Sequence, residues 1–126
     1  MKKTAFGIVI KVKNLTACKA FYRDILDLGE PVLDSSFRVE VRFEETFSLF
    51  LEKAPWDVSQ SPVSARCAWF FGSGDAELIR HKMKAYGYPA SAVTSTAEAD
   101  IPFCRFTDPD GNPFYVPVSL ESNNLK

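Results

Sequence analysis

One order of elements occurs twice along this chain, strand–helix–strand–strand–strand, and any fold must accommodate both copies. In the first copy, residues 5–12 are apolar and β-branched enough for a buried strand. Asn14 offers a helix N-cap, and Leu15, Cys18, Phe21, Tyr22, Ile25 and Leu26 follow with helical spacing. Gly29 supplies a C-terminal stop, and Pro31 prevents the helix from resuming. A short strand at 31–34 comes next. Residues 37–43 then alternate, with Phe37, Val39, Val41 and Phe43 on one face and Arg38, Glu40 and Arg42 on the other. Residues 47–53 place Phe47, Leu49 and Leu51 opposite Ser48, Phe50 and Glu52.

A connector containing Pro55 and Pro62 covers 54–64, and the order then repeats. Residues 65–71 suit a strand, and Asp75 can cap a helix with Leu78, Ile79, Lys82, Met83, Ala85 and Tyr86 on or near one face. Gly87 and Pro89 end that helix. A weak strand is expected near 90–94, a polar loop through Asp100, and final strands at 101–107 and 113–118. Between those two, Thr107-Asp108-Pro109-Asp110-Gly111-Asn112 predicts a hairpin built on a type I turn followed by a left-handed glycine. The tail from Glu121 is polar. A half of about sixty residues, with one helix and one-sided strands, cannot close a core alone. Pairing two halves, within the chain or across a dimer, buries the helix-facing sides and leaves a concave face.

Composition narrows the function classes. The formal net charge is -1, with Lys+Arg 15 against Asp+Glu 16, and no basic run occurs, so neither nucleic acid nor an anionic membrane is an expected partner. Cys18, Cys67 and Cys104 are odd in number and form no CxxC pair, which predicts reduced thiols and a cytoplasmic protein. The first apolar run is too short to span a membrane. Aromatic residues are plentiful, 11 Phe, 4 Tyr and 2 Trp, enough to serve a core and line a pocket.

Asn14-Leu15 followed by Phe21-Tyr22-Arg23-Asp24-Ile25-Leu26 and Leu28-Gly29 resembles the first helix of the vicinal-oxygen-chelate proteins, and Asp108-Pro109-Asp110-Gly111-Asn112 resembles their terminal hairpin. This superfamily includes glyoxalases, extradiol dioxygenases and bleomycin-resistance proteins. The resemblance implies an α+β fold in which two βαβββ modules form a cupped mixed sheet. It implies one domain over 1–126: module one at about 4–53, connector 54–64, module two at about 65–120 and tail 121–126. It also makes a homodimer the expected assembly.

Enzymes of the superfamily hold a divalent ion in the cup with one ligand from each of four strands. The matching positions here are Gly7, Glu52, the neighbourhood of Arg66 and Cys67, and Tyr115. Glycine has no ligating side chain and a neutral phenol is a poor ligand, which leaves one carboxylate where three or four groups must converge. No metal and no cofactor are therefore expected. His81, the single histidine, falls on the polar side of the second helix and reads as a solvated residue.

Strand alternation extends the expected cup surface. Gly7, Val9 and Lys11 share a side with Tyr115, Pro113 and Pro117, and Phe50 shares one with Glu52. Arg38, Glu40 and Arg42 are expected to face the concavity, with Trp69 inward, Phe103 and Arg105 near Tyr115, and Trp56 at the connector. Flat rings among charges suit an aromatic, charged small molecule, as in the metal-free bleomycin-resistance proteins, which sequester an antibiotic. The blander reading makes Arg38, Glu40 and Arg42 an exposed ladder of modest ion pairs, and Phe50 and Trp69 core or dimer contacts. Two other functions remain open. One is a glyoxalase-like lyase, isomerase or other enzyme, with or without a metal, using Glu52 as general base and Tyr115 or Arg42 to steady an anion. The other is an interaction module whose aromatic residues meet a partner.

Overall fold

The computed structural model describes residues 6–43, 46–55, 67–72, 74–89, 93–94 and 103–118. Two four-stranded mixed sheets carry the architecture. β1 (Phe6–Val12), β2 (Leu33–Asp34), β3 (Arg38–Phe43) and β4 (Phe47–Lys53) form the first, in the order β1-β4-β3-β2. β5 (Trp69–Phe70), β6 (Val93–Thr94), β7 (Phe103–Thr107) and β8 (Pro113–Pro117) form the second, in the order β5-β8-β7-β6. The orders match position for position, the outer pairs β1–β4 and β5–β8 both being parallel and the others antiparallel. The expected repeat of one module is thus present in topology as well as in element order.

α1 (Leu15–Ala20) begins where Asn14 accepts the Ala17 N–H at 3.0 Å through its side chain. It runs into a π-helical turn, Phe21–Ile25, closed by the Leu26 N–H on Phe21 O. The wider turn brings neighbouring Phe21 and Tyr22 into the core together with Ile25 and Leu26. The chain then reverses through Asp27 and Gly29, whose φ angles of 57° and 89° are left-handed. α2 (Ala76–Ala85) starts at Asp75, whose carboxylate accepts from the N–H groups of Glu77 and Leu78. It buries Ala76, Ile79 and Met83. Leu78 and Tyr86, expected on its apolar face, are exposed instead, because the buried stripe is narrower than the run of apolar residues.

One hydrophobic cluster serves both modules. Val12, Val39, Val41, Leu49 and Leu51 enter it from the first sheet, and Trp69, Cys104, Phe106, Phe114 and Val116 from the second. Phe21 meets Phe114 and Tyr88 edge-on, while Trp69 stacks on Phe114 at 5.4 Å. Phe43 lies 6.0 Å from both Trp69 and Phe71, ring centre to ring centre.

The hairpin joining β7 to β8 fastens the modules with polar groups. The Gly111 N–H closes the turn on Asp108 O at 2.9 Å, with Gly111 at φ 84°, as the sequence predicts. Asp108 accepts from the N–H groups of Asp110 and Asn112, and Asn112 Nδ2 donates to Lys11 O at 3.2 Å. Asp110 Oδ2 receives the N–H groups of Lys13 and Asn14 at 2.7 and 2.9 Å, and the Cys18 thiol donates to the same oxygen at 3.4 Å. Burial pushes the Cys18 thiol far up from its ordinary range, so it stays a neutral, inert donor. Among the described residues, no helix is long and apolar enough to cross a membrane.

Candidate functional site

With the helix-facing side of each sheet spent on the core, the opposite face is the one open to a ligand. On the first sheet that face carries Gly7, Val9 and Lys11 from β1, Arg38, Glu40 and Arg42 from β3, and Ser48, Phe50 and Glu52 from β4. Their neighbours Val12, Val39, Val41, Leu49 and Leu51 are fully buried. Every first-sheet candidate from the sequence therefore lies on one surface.

The charges on this surface are paired. Glu52 takes a hydrogen bond from Lys11 Nζ and has Arg38 Nε 3.7 Å away. Glu40 Oε2 accepts from Ser48 Oγ at 2.7 Å and Arg42 Nη2 at 3.0 Å. The Arg38 guanidinium sits over the Phe50 ring, 4.7 Å from its centre. The ladder of ion pairs considered from the sequence is thus present, and its Glu40–Arg42 pair also lines a cavity.

Lysine hydrogen bonding, assisted by the charges of Lys11 and Arg38, lowers the Glu52 pKa against the opposing effect of burial. A general base at neutral pH is favoured by the opposite shift, so this pairing does not by itself supply the raised pKa that a catalytic role for Glu52 would call for. Glu40 is likewise held below its ordinary value, first by the Ser48 hydroxyl and then by Arg42.

A cavity of about 360 Å³ opens on this face, lined by Phe6, Gly7, Glu40, Arg42, Thr46, Ser48 and Phe50. Gly7 is central to its shape. A Cβ there would come within 3.1 Å of Phe50 Cε2 and 3.2 Å of Ser48 O, so the bare backbone lets the Phe50 ring lie against β1. Ser48 and Phe6 were not singled out from the sequence. The alternation that put Ser48 on the face of Phe50 and Glu52 was the available signal; Phe6, 66% exposed at the strand edge, offered none.

The second sheet's open face holds Phe70, Phe103, Arg105 and Tyr115. Arg105 pairs in register with Tyr115, and the Phe103 ring meets Phe70 at 6.3 Å and Tyr115 at 5.3 Å. Trp69 is a correction: it is 7% exposed and packs among Tyr22, Phe71 and Phe114 in the core. In-register pairing of Trp69 with buried Phe114, and of Phe70 with Tyr115, makes Phe70 the ring on the open side. Among the described residues, no hydrogen bond, ion pair or ring contact joins Arg105 or Tyr115 to the candidates of the first sheet. Trp56 and Arg66 lie outside the described residues. His81 is exposed on α2.

Among the described residues, the positions that the resemblance assigns to metal ligands do not fit a divalent ion. Gly7 presents no donor, Glu52 is committed to Lys11 and Arg38, and the phenol of Tyr115 lies beside Phe103. Among the described residues, no three His, Cys, Asp or Glu side chains converge as a ligand group.

No protein-family model matches the sequence, and no curated protein matches it. Solved structures do. A lactoylglutathione lyase from Agrobacterium tumefaciens superposes with a TM-score of 0.68 at 19% identity, over 94% of this chain and 95% of that one. A glyoxalase/bleomycin resistance protein from Catenulispora acidiphila gives 0.67 at 17% identity, over 93% and 99%. A glyoxalase-related enzyme from Fulvimarina pelagi gives 0.67 at 16% identity, over 95% and 90%. Likeness at this level over nearly the whole of each chain, together with the doubled module and its sheet order, shows that the protein has the vicinal-oxygen-chelate fold, the fold of the glyoxalase and bleomycin-resistance proteins.

Proposed function

We propose that this protein binds a small molecule without a metal ion, holding a planar compound with polar or charged groups on the open face of its first sheet. The observation that carries the reading is the cavity between Gly7 and Phe50. Gly7, the position that the family resemblance assigns to a metal ligand, is bare backbone, and the Phe50 ring lies against it. Flat apolar surface from Phe50 and Phe6 would supply most of the affinity, and Arg38, Glu40, Arg42 and Glu52 would orient the guest. Sequestration of an antibiotic or similar aromatic compound is the activity this favours, in a cytoplasmic setting.

The reading includes a homodimer. Among the described residues, no hydrogen bond, ion pair or ring contact joins Arg105 or Tyr115 to the first-sheet candidates, and a second copy would bring the two open faces into one cup. Titration calorimetry against a panel of aromatic drugs of either charge and a panel of divalent metals tests the proposal. One-to-one binding of an organic compound per protomer is expected. Tight zinc or nickel binding with no organic compound bound would overturn it.

A further inference from the structure

The cavity's polar groups say more about the guest, in an inference that rests on the ligand-binding reading above. Its two charged side chains are opposite in sign and already bound to each other. Arg42 Nη2 and Ser48 Oγ both donate to Glu40 Oε2, so both bonds fall on one oxygen. Glu40 Oε1 accepts no hydrogen bond among the described residues. Among the described residues, Arg42, half exposed, has no acceptor for Nε or Nη1. The hydroxyl and guanidinium keep Glu40 ionised near neutral pH, and an ionised carboxylate only accepts.

An open acceptor and open donors therefore sit side by side next to the Phe50 and Phe6 rings. A free ion gains little at such a pair, because a cation drawn to Glu40 meets Arg42 and an anion drawn to Arg42 meets Glu40. An uncharged group with a donor and an acceptor on adjacent atoms satisfies both at once, with no net charge to desolvate. The cavity, about 360 Å³, is large enough for a fused two-ring compound and lies toward the small end of ligand pockets.

We infer that the cavity selects flat, uncharged heteroaromatic compounds whose edge carries an N–H beside a C=O, as in a ring lactam, over aromatic ions. Four quinolines of nearly equal size test this by calorimetry or ligand-observed NMR: quinolin-2-one, 2-methoxyquinoline, quinoline-2-carboxylate and 1-methylquinolinium. Quinolin-2-one should bind at least about tenfold more tightly than the other three. The Glu40→Gln variant should erase that preference, bringing the affinity for quinolin-2-one down to that for 2-methoxyquinoline. Equal binding of all four, a tighter ionic quinoline, or a lactam preference that survives in Glu40→Gln would overturn the inference and leave the ligand-binding reading standing. If none of the four binds but another aromatic drug does, the inference alone falls. If no organic compound binds at all, both fall.

Discussion

Tyr22 Oη donates a 2.8 Å hydrogen bond to Asp108 Oδ2, and through it the π-helical turn of the first module is tied to the terminal hairpin of the second. Both side chains are buried, and Asp108 also collects two backbone N–H groups and the Asn112 amide. Burial raises the pKa of Asp108 against these hydrogen bonds, and burial with the neighbouring carboxylate sends that of Tyr22 well above the ordinary tyrosine value. The hairpin sequence that marks this fold thus holds two half-cores together.

Removing the Tyr22 hydroxyl takes one donor from a buried carboxylate while keeping the ring's shape. Tyr22→Phe should lower the unfolding free energy by about 1–3 kcal/mol in urea, with ligand affinity unchanged. A loss below about 0.5 kcal/mol would mean that the tie carries no structural weight.

Gly7→Leu should abolish organic binding at a modest cost in stability, because its Cβ also crowds the Ser48 carbonyl. The new side chain must enter space that Phe50 and the cavity share, and the half-buried Phe50 ring can move outward. Replacing a strand glycine also recovers about 0.5–1 kcal/mol of backbone entropy, which offsets part of the crowding. Thermal unfolding and calorimetry on the same sample separate the two effects.

Arg38→Met keeps the stem over β4 but removes the charge above Phe50. Stability should change by less than about 1 kcal/mol, since the pair with Glu52 is part exposed and 3.7 Å long. Ligand affinity should fall severalfold, because the Phe50 ring loses the group that fixes its face. An unchanged affinity would place the guest away from Phe50.

Acid sensitivity follows from Glu40 and Glu52, whose carboxyls are held below the ordinary glutamate value of 4.5. A folded-state pKa below the unfolded one stabilises the protein above the ordinary range, and that stability is lost as pH falls through the folded value. The urea midpoint should therefore drop more between about pH 5 and about pH 3 in the native protein than in a Glu40→Gln, Glu52→Gln double variant. The raised pKa of Asp108 acts in the opposite direction, but it is common to both proteins and cancels in the comparison.

Long alternating strands made the first sheet legible. β3 and β4 are 6 and 7 residues long, so a one-residue error would have buried Arg38, Glu40 and Glu52 and exposed Val39 and Leu51. Trp69 went to the wrong side because β5 spans only Trp69 and Phe70, where alternation has nothing to average over. The hairpin's turn geometry was written in Asp108, Pro109 and Gly111. Its role in joining the modules was hidden, because the partners of Asp108 and Asp110 on the first helix are 86 and 92 residues away in the chain. Glu52 could be placed on the correct face, yet its commitment to Lys11 depends on strand pairing that a single sequence does not display.

Residue-resolved NMR titration with the tightest organic compound from the calorimetric panel, run in parallel with zinc, separates an organic guest from a metal ion at this face. Saturable shifts are expected at Gly7, Glu40, Ser48 and Phe50 with the organic compound. No stoichiometric zinc site that moves Gly7, Glu52, Cys67 and Tyr115 together is expected. Zinc binding that shifts Glu52, Cys67 and Tyr115 in concert, with the surface around Gly7 and Phe50 indifferent to every organic compound, would contradict small-molecule binding without a metal ion.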